Sequence, residues 1–149
     1  MNWIYYEDVV VGEKITEGQY SIDKTELLEF ARKWDRRPFH IDEEAANSYP
    51  YGGLIAPAPY LLSVAARMLT PLDKPRLAVI GLLEYEHVRI LRPGRPGDLL
   101  TVTSETIEKR ESKSNPRQGI VRHEIVLRNH RDEVVASYLA AFIIEKRPL

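Results

Sequence analysis

The run Pro59-Tyr60-Leu61-Leu62-Ser63-Val64-Ala65-Ala66-Arg67-Met68-Leu69 puts apolar residues on nearly every side of a helix drawn through it. A short helix without a wide polar face must be buried all round, so this one is expected at the centre of the protein. Beyond Pro75 the texture changes to β-branched residues at period two, in runs near 82–92, 98–111, 118–129 and 133–146. That pattern predicts four long strands. In the last run Val134, Ala136, Tyr138, Ala140, Phe142 and Ile144 form one face, and Val135, Ser137, Leu139, Ala141 and Ile143 the other. Both faces are largely apolar, which places this strand inside the sheet. The links Arg92–Asp98, Lys113–Gln118 and Asn129–Asp132 are short and rich in turn formers, each suited to an antiparallel reversal. A meander is expected, and one buried helix plus a long antiparallel sheet packs most economically with the sheet wrapped around the helix, an α+β architecture.

Upstream, Asp23 with Glu26 three residues later has the form of a capping box, and Leu27, Leu28, Phe30, Ala31 and Trp34 follow at helical spacing. An amphipathic helix is predicted over 24–34. Arg37-Pro38-Phe39-His40 interrupts it, because proline pushes the preceding residue out of the α region. Asp42 can cap a second short helix over 43–48, and Tyr49-Pro50-Tyr51-Gly52-Gly53 is turn chemistry.

The chain has 149 residues, 44% hydrophobic and 29% charged, which suits one globular domain over 1–149 and excludes a disordered or fibrous chain. With 21 Lys and Arg against 22 Asp and Glu, the net charge of -1 offers no field to attract nucleic acid or anionic lipid. The absence of cysteine removes disulfides, thiolate metal sites and cysteine nucleophiles together. Met1-Asn2-Trp3-Ile4-Tyr5-Tyr6-Glu7-Asp8 lacks a basic segment and meets acid too early for a secretory leader. The uncharged stretch Ala45–Ala66 is broken by Pro50, Gly52, Gly53, Pro57 and Pro59, so no membrane span is expected. A cytoplasmic location is the default expectation.

The segment richest in chemistry is Trp34-Asp35-Arg36-Arg37-Pro38-Phe39-His40-Ile41-Asp42-Glu43, followed by Tyr51-Gly52-Gly53-Leu54-Ile55-Ala56. It resembles the MaoC-like dehydratases, the family that includes (R)-specific enoyl-CoA hydratases, in the motif Asp-x-x-Pro-x-His-x-Asp and a Tyr-Gly-Gly-x-Ile-Ala turn into a buried helix. The likeness continues through Arg92–Asp98 and Asn129–Ser137, so it covers nearly the whole chain. The resemblance implies a hotdog fold and reversible syn hydration of a trans-2-enoyl thioester to an (R)-3-hydroxyacyl thioester. Asp35 and His40 match the family's catalytic pair. Hydration needs one proton removed from water and another delivered to the α-carbon, and a carboxylate with an imidazole can divide these transfers. Which group gives and which takes is not assignable from residue order. Without the surrounding motif, Asp35 is equally a helix cap and His40 a partly buried loop histidine.

Negative charge that grows on the thioester oxygen calls for a donor, and free amides at a helix start suit that task. Relatives place this donor at a His-Gly or Ser-Gly step, where this chain has Pro57-Ala58. With Pro59 expected as the first helical residue, Ala58 becomes the cap, and its backbone N–H is the expected oxyanion donor; water capping of that end is the plain alternative. The resemblance further places substrate against Arg37, Pro38, Tyr51, Gly52, Gly53, Ile55 and Pro57. Arg37 stands where many relatives carry Asn or Gln. It either meets a carboxylate on the acyl chain or is a solvent-facing arginine paired with Asp35 or Asp42.

His87, His123 and His130 lack a neighbouring ligand set, so no metal is assigned. Ser63 lacks a nucleophile frame, and there is no phosphate loop or dinucleotide fingerprint. No cofactor is expected beyond coenzyme A as part of the substrate. Arg89, Arg92 and Arg95 either meet its phosphates or are exposed strand-end charges. The expected partner is an acyl-CoA or acyl carrier protein thioester, with neither nucleic acid nor membrane involved. A sheet wrapped around one helix leaves an edge that a twin would cover, so a homodimer or higher homo-oligomer is expected. Two rival readings are a hotdog thioesterase and a non-catalytic acyl-thioester binding subunit.

Overall fold

In the computed structural model, which describes residues 2–149, the apolar run is a helix with one face packed into the sheet; Pro59, Ser63, Ala66 and Arg67 on its other side are exposed, so, against expectation, it is not buried all round. In chain order the elements are β1 (Trp3–Ile4), a single 3-10 turn (Tyr6–Asp8), β2 (Lys14–Ser21), α1 (Lys24–Trp34), α2 (Pro38–Ile41), α3 (Glu43–Ala46), α4 (Ala58–Leu69), β3 (Arg76–Leu77), β4 (Val79–Ile90), β5 (Leu99–Glu111), β6 (Gln118–Arg128) and β7 (Val134–Glu145). Leu61 and Ala65 of α4 are wholly buried, and Tyr60, Val64 and Met68 nearly so. They pack on Leu100 and Val102 of β5, Ile125 and Leu127 of β6, and Ala136, Tyr138 and Ala140 of β7. Each fully buried leucine in such a core contributes about 1.5–3 kcal/mol. This is the sheet-around-helix arrangement expected of the hotdog fold.

The five long strands form one antiparallel sheet in the order β2-β5-β6-β7-β4. β7 lies between β6 and β4, as its two apolar faces require. The reversals at Lys113–Gln118 and Asn129–Asp132 join paired neighbours. In the second, the Asn129 side-chain oxygen accepts from the Arg131 and Glu133 amides at 2.9 and 3.1 Å, an Asx-type turn. Arg92–Asp98 departs from expectation: β4 and β5 are separated by β7 and β6, so this link crosses the sheet instead of closing a hairpin. Proline and glycine mark where the chain turns, not which strand it meets next. Tertiary bonds carry the link across, with Gly94 O accepting from Ala56 N at 2.7 Å and Gly97 N donating to Ile22 O at 2.8 Å.

The periodicity reading also omits β2, whose Ile15 and Tyr20 are its only large apolar residues. Their register is broken by a bulge between Glu17 and Tyr20, where Gly18 takes a φ of +43°. The pairing with β5 forms through the backbone rather than an apolar face. Among the short helices, α1 has its predicted bounds, while α3 closes at Ala46 instead of running to Ser48. Where an interruption is expected there is one helical turn, α2, with Arg37 extended at ψ 141° and Pro38 in the first turn. Among the described residues no helix is long and apolar enough to cross a membrane.

Gly94 positions the start of α4, because a Cβ there would stand 3.0 Å from Leu61 Cδ2 and 3.3 Å from Ile22 Cδ1. Gly94→Ala is expected to destabilise the fold by about 1–3 kcal/mol through overpacking, read as a lower urea midpoint at unchanged slope.

Candidate active site

Asp35 caps the C-terminus of α1, its amide donating to Ala31 O at 2.9 Å. The helix is anchored by buried Leu27 and Ala31 and capped at its start by Asp23, whose carboxylate accepts from Glu26 N at 2.9 Å. This fixes the point where the chain leaves α1 and leaves the Asp35 side chain only 11% exposed. α2 then turns His40 inward, to 7% side-chain exposure. The two converge: His40 Nε2 lies 3.6 Å from Asp35 Oδ2. That separation is too long for a direct hydrogen bond and short enough for one water, lying to the side of the pair, to contact both atoms.

The imidazole is held from behind, with Nδ1 2.7 Å from the Ile55 carbonyl. A carbonyl oxygen can only accept, so Nδ1 carries the hydrogen, and in the neutral ring Nε2 bears the lone pair that faces Asp35. Ile55 N donates to Phe39 O at 3.2 Å, making the attachment of α2 to this turn two-stranded. Phe39 meets the rings of His40, Tyr49 and Tyr51 edge-on at 4.5, 5.1 and 6.0 Å. Gly52 and Gly53 adopt φ of +67° and +154°, values that favour glycine and bend the chain from Tyr51 back toward Ile55.

Of the residues expected around substrate, Ile55 and Pro57 are buried, Gly53 is half-buried, and Pro38, Tyr51 and Gly52 lie at the surface. Arg37 is 65% exposed and bonds Asp35 Oδ1 through one guanidinium nitrogen at 2.5 Å, so the ion pair is the arrangement present. Arg95 donates to the Tyr51 carbonyl and Arg92 pairs with Glu133 at 3.1 Å, so both have protein partners. The expected position of Ala58 needs correction. Pro57 is the cap of α4, Ala58 is the first helical residue and Pro59 the second. The fixed φ of proline suits either place, and only the turn geometry chooses. The consequence for chemistry is unchanged, since Pro57 offers no side-chain capping bond and neither proline has an N–H. Ala58 supplies the one amide in Pro57-Ala58-Pro59, three residues beyond the carbonyl that holds His40.

A cavity of about 420 Å³ opens between the last turns of α4 and the inner face of the sheet. Ala66, Leu69, Ile125, Tyr138 and Phe142 supply apolar wall, and Ser104, Thr106 and His123 a polar patch. Along α4, Ala66 stands about 12 Å from Ala58 at 1.5 Å per residue. His123 Nδ1 lies 3.3 Å from Ser104 Oγ and 3.4 Å from Thr106 Oγ1. Burial pushes the imidazole down to about 4, keeping it neutral. Residue order places His123 among core positions but says nothing of this patch. The available signal is Ser104 and Thr106 continuing the inward face begun by Leu100 and Val102.

Residues 9–138 match the family model described as FAS1-like, dehydratase domain region. A crystal structure of the MaoC-like dehydratase from Rhodospirillum rubrum is 32% identical and superposes with a TM-score of 0.87, covering 97% of this chain and 99% of that one. The chain belongs to the MaoC-like hotdog dehydratases. The unliganded R-hydratase PhaJ1 from Pseudomonas aeruginosa is 27% identical at a TM-score of 0.73, over 98% of this chain and 88% of that one. A UPF0336 protein of Streptomyces avermitilis is 31% identical over 115 residues, 71% of this chain and 73% of that protein. Within the MaoC-like frame, the resemblance carried by Asp35–Asp42 and Tyr51–Ala56 is thus sustained over the chain.

The depressed His123 fixes a pH dependence for this MaoC-like protein. Between 6.5, its ordinary value, and about 4, the unfolded chain binds a proton that the folded chain refuses, so stability falls as pH falls through that window. From pH 7 to pH 5 this group alone should remove about 2 kcal/mol. Urea unfolding at the two pH values checks it: the wild type should lose that much more than His123→Gln.

Proposed function

We propose that the chain adds water across the double bond of a trans-2-enoyl thioester to give the (R)-3-hydroxyacyl thioester, and runs the reverse dehydration. The observation that carries this reading is the His40 ring, locked through Nδ1 to Ile55 O with Nε2 turned to Asp35 at 3.6 Å. Membership of a dehydratase family and likeness to an R-hydratase support it.

In the hydration direction, a water held between Nε2 and Asp35 Oδ2 gives a proton to Nε2 as its oxygen bonds the β-carbon. The alkene pair moves through the α-carbon to the thioester oxygen, where the Ala58 N–H at the positive end of α4 receives the charge. The imidazolium then returns its proton to the α-carbon as the carbonyl re-forms. Water is added whole and His40 ends neutral. Asp35, already accepting from Arg37, orients the water and offsets the transient imidazolium charge. Both additions come from the side of one ring, which accounts for a syn outcome. The apolar cavity, which lies toward the other end of α4 and is lined by none of Asp35, His40 and Ala58, receives the far end of the acyl chain, carried on coenzyme A or an acyl carrier protein, while Arg37, Pro38, Tyr51 and Gly52 lie at the surface.

We further propose a homodimer through β4. This edge strand exposes Ile80, Leu82, Leu83, Val88 and Ile90, an apolar edge that a second copy would pair and cover. Light scattering should return twice the 17.2 kDa chain mass; a monomer mass at micromolar concentration would refute the pairing.

Purified protein with crotonyl-CoA should consume the enoyl absorbance and yield (R)-3-hydroxybutyryl-CoA. Asp35→Asn and His40→Ala should each lower the rate by about 10²–10⁴-fold with circular dichroism unchanged. Release of free thiol would instead mark a thioesterase, binding without turnover a carrier subunit, and an undiminished rate in either variant would falsify the assignment of the pair.

A further inference from the structure

His123 is not used by the chemistry above, yet it is the most unusual group in the acyl-chain cavity. Its ring forms part of the wall and is only 7% exposed, and Nε2 is buried with no hydrogen-bond partner in the protein. A buried ring nitrogen left unpaired costs stability that an apolar residue would not. At this inward position of β6, Val121 and Ile125 on either side show what the sheet otherwise prefers. The ring's other edge is occupied, with Nδ1 against the Ser104 and Thr106 hydroxyls and Phe142 stacked edge-on at 6.0 Å. His123 lines the cavity, so a group bound there that displaces the wall slightly is the nearest partner for Nε2.

We propose that His123 is a specificity-determining residue, and that the cavity selects acyl chains bearing a neutral hydroxyl away from the thioester, which bonds Nε2. This rests on the proposed enoyl-thioester reading. The charge of the site favours a neutral group. Glu13 and Arg76 in the lining are opposite in sign and the imidazole is uncharged, so the wall carries no net charge that would favour a carboxylate or an ammonium over a neutral group. The tautomer of His123 does not matter to a hydroxyl, which donates or accepts as the ring requires. The remaining wall, with Leu69, Ile125 and Phe142, fits the methylene chain on either side of that oxygen.

Two measurements test the assignment, and they fail separately. In the first, turnover of plain and ω-hydroxylated trans-2-enoyl-CoA thioesters is compared along a series from hexenoyl to dodecenoyl. At the matching length the hydroxylated substrate should lead in kcat/KM by about tenfold, the effect of one net hydrogen bond. His123→Leu should abolish that preference, read as the ratio of kcat/KM for hydroxylated over plain substrate of the same length. The second needs no turnover: calorimetric affinities of 1-hexanol and toluene are measured on wild type, His123→Leu and His123→Gln. The hexanol-to-toluene ratio should fall about tenfold in His123→Leu and be partly restored by His123→Gln, whose amide still reaches a hydroxyl. A preference that is absent in the wild type, or that survives His123→Leu, overturns the role of His123. If no enoyl thioester reacts but the hexanol ratio behaves as stated, the proposed reaction fails and the hydroxyl site stands. Should His123→Leu not fold, His123→Phe takes its place, and a hexanol-to-toluene ratio equal to that of the wild type overturns the proposal.

Discussion

The bond between His40 Nδ1 and the Ile55 carbonyl joins two segments fifteen positions apart and sets almost everything about the site. It orients the imidazole, chooses which nitrogen bears the lone pair, and holds α2 against the turn that leads into α4. Because both atoms are buried, losing the bond would expose neither to water, and an orphaned carbonyl in that setting costs about 1–3 kcal/mol. The reciprocal bond from Ile55 N to Phe39 O means that the turn cannot drift without carrying the ring with it. Pre-organisation of this kind lets an exposed guanidinium such as Arg37 sit beside the pair without disturbing it.

The helix at the centre has two different surroundings along its length. Its start, Pro57-Ala58-Pro59, offers one backbone N–H at the positive end of the dipole, where the proposed reaction would place its developing negative charge. Its last turns border an apolar space shaped by β5, β6 and β7. The sheet thus both covers the inward face of α4 and walls the chamber beyond it. Polar Ser104, Thr106 and His123 interrupt that wall at one spot, where a purely structural sheet would carry aliphatic side chains.

Much of this was legible locally. The inward face of α4 follows from Leu61, Val64, Ala65 and Met68, although Pro59, Ser63, Ala66 and Arg67 lie exposed and the helix is not buried all round; the bounds of α1 follow from Asp23, Glu26 and a regular apolar stripe. The pairing of Asp35 with His40 was accessible only through the family resemblance of the motif around them; the helical turn Pro38–Ile41 that brings His40 back to Asp35 was not expected from residue order. β2 was not accessible: with Ile15 and Tyr20 separated by a glycine bulge, it has no periodic face to detect. Nor was the crossover at Arg92–Asp98, since a turn signal carries no information about the next strand's neighbour.

What residue order alone determined, therefore, was the set of short-range outcomes: which segments must hide from water, where helices begin and end, and which side chains lie close along the chain. The strand order β2-β5-β6-β7-β4, the cap of α4 at Pro57, and the gathering of Ser104, Thr106 and His123 on one cavity wall were decided by tertiary structure. The physical reason is that backbone pairing and burial are settled between segments, each of which alone is compatible with several partners. Only when the sheet closes around the helix does a single choice satisfy the buried donors and acceptors of them all.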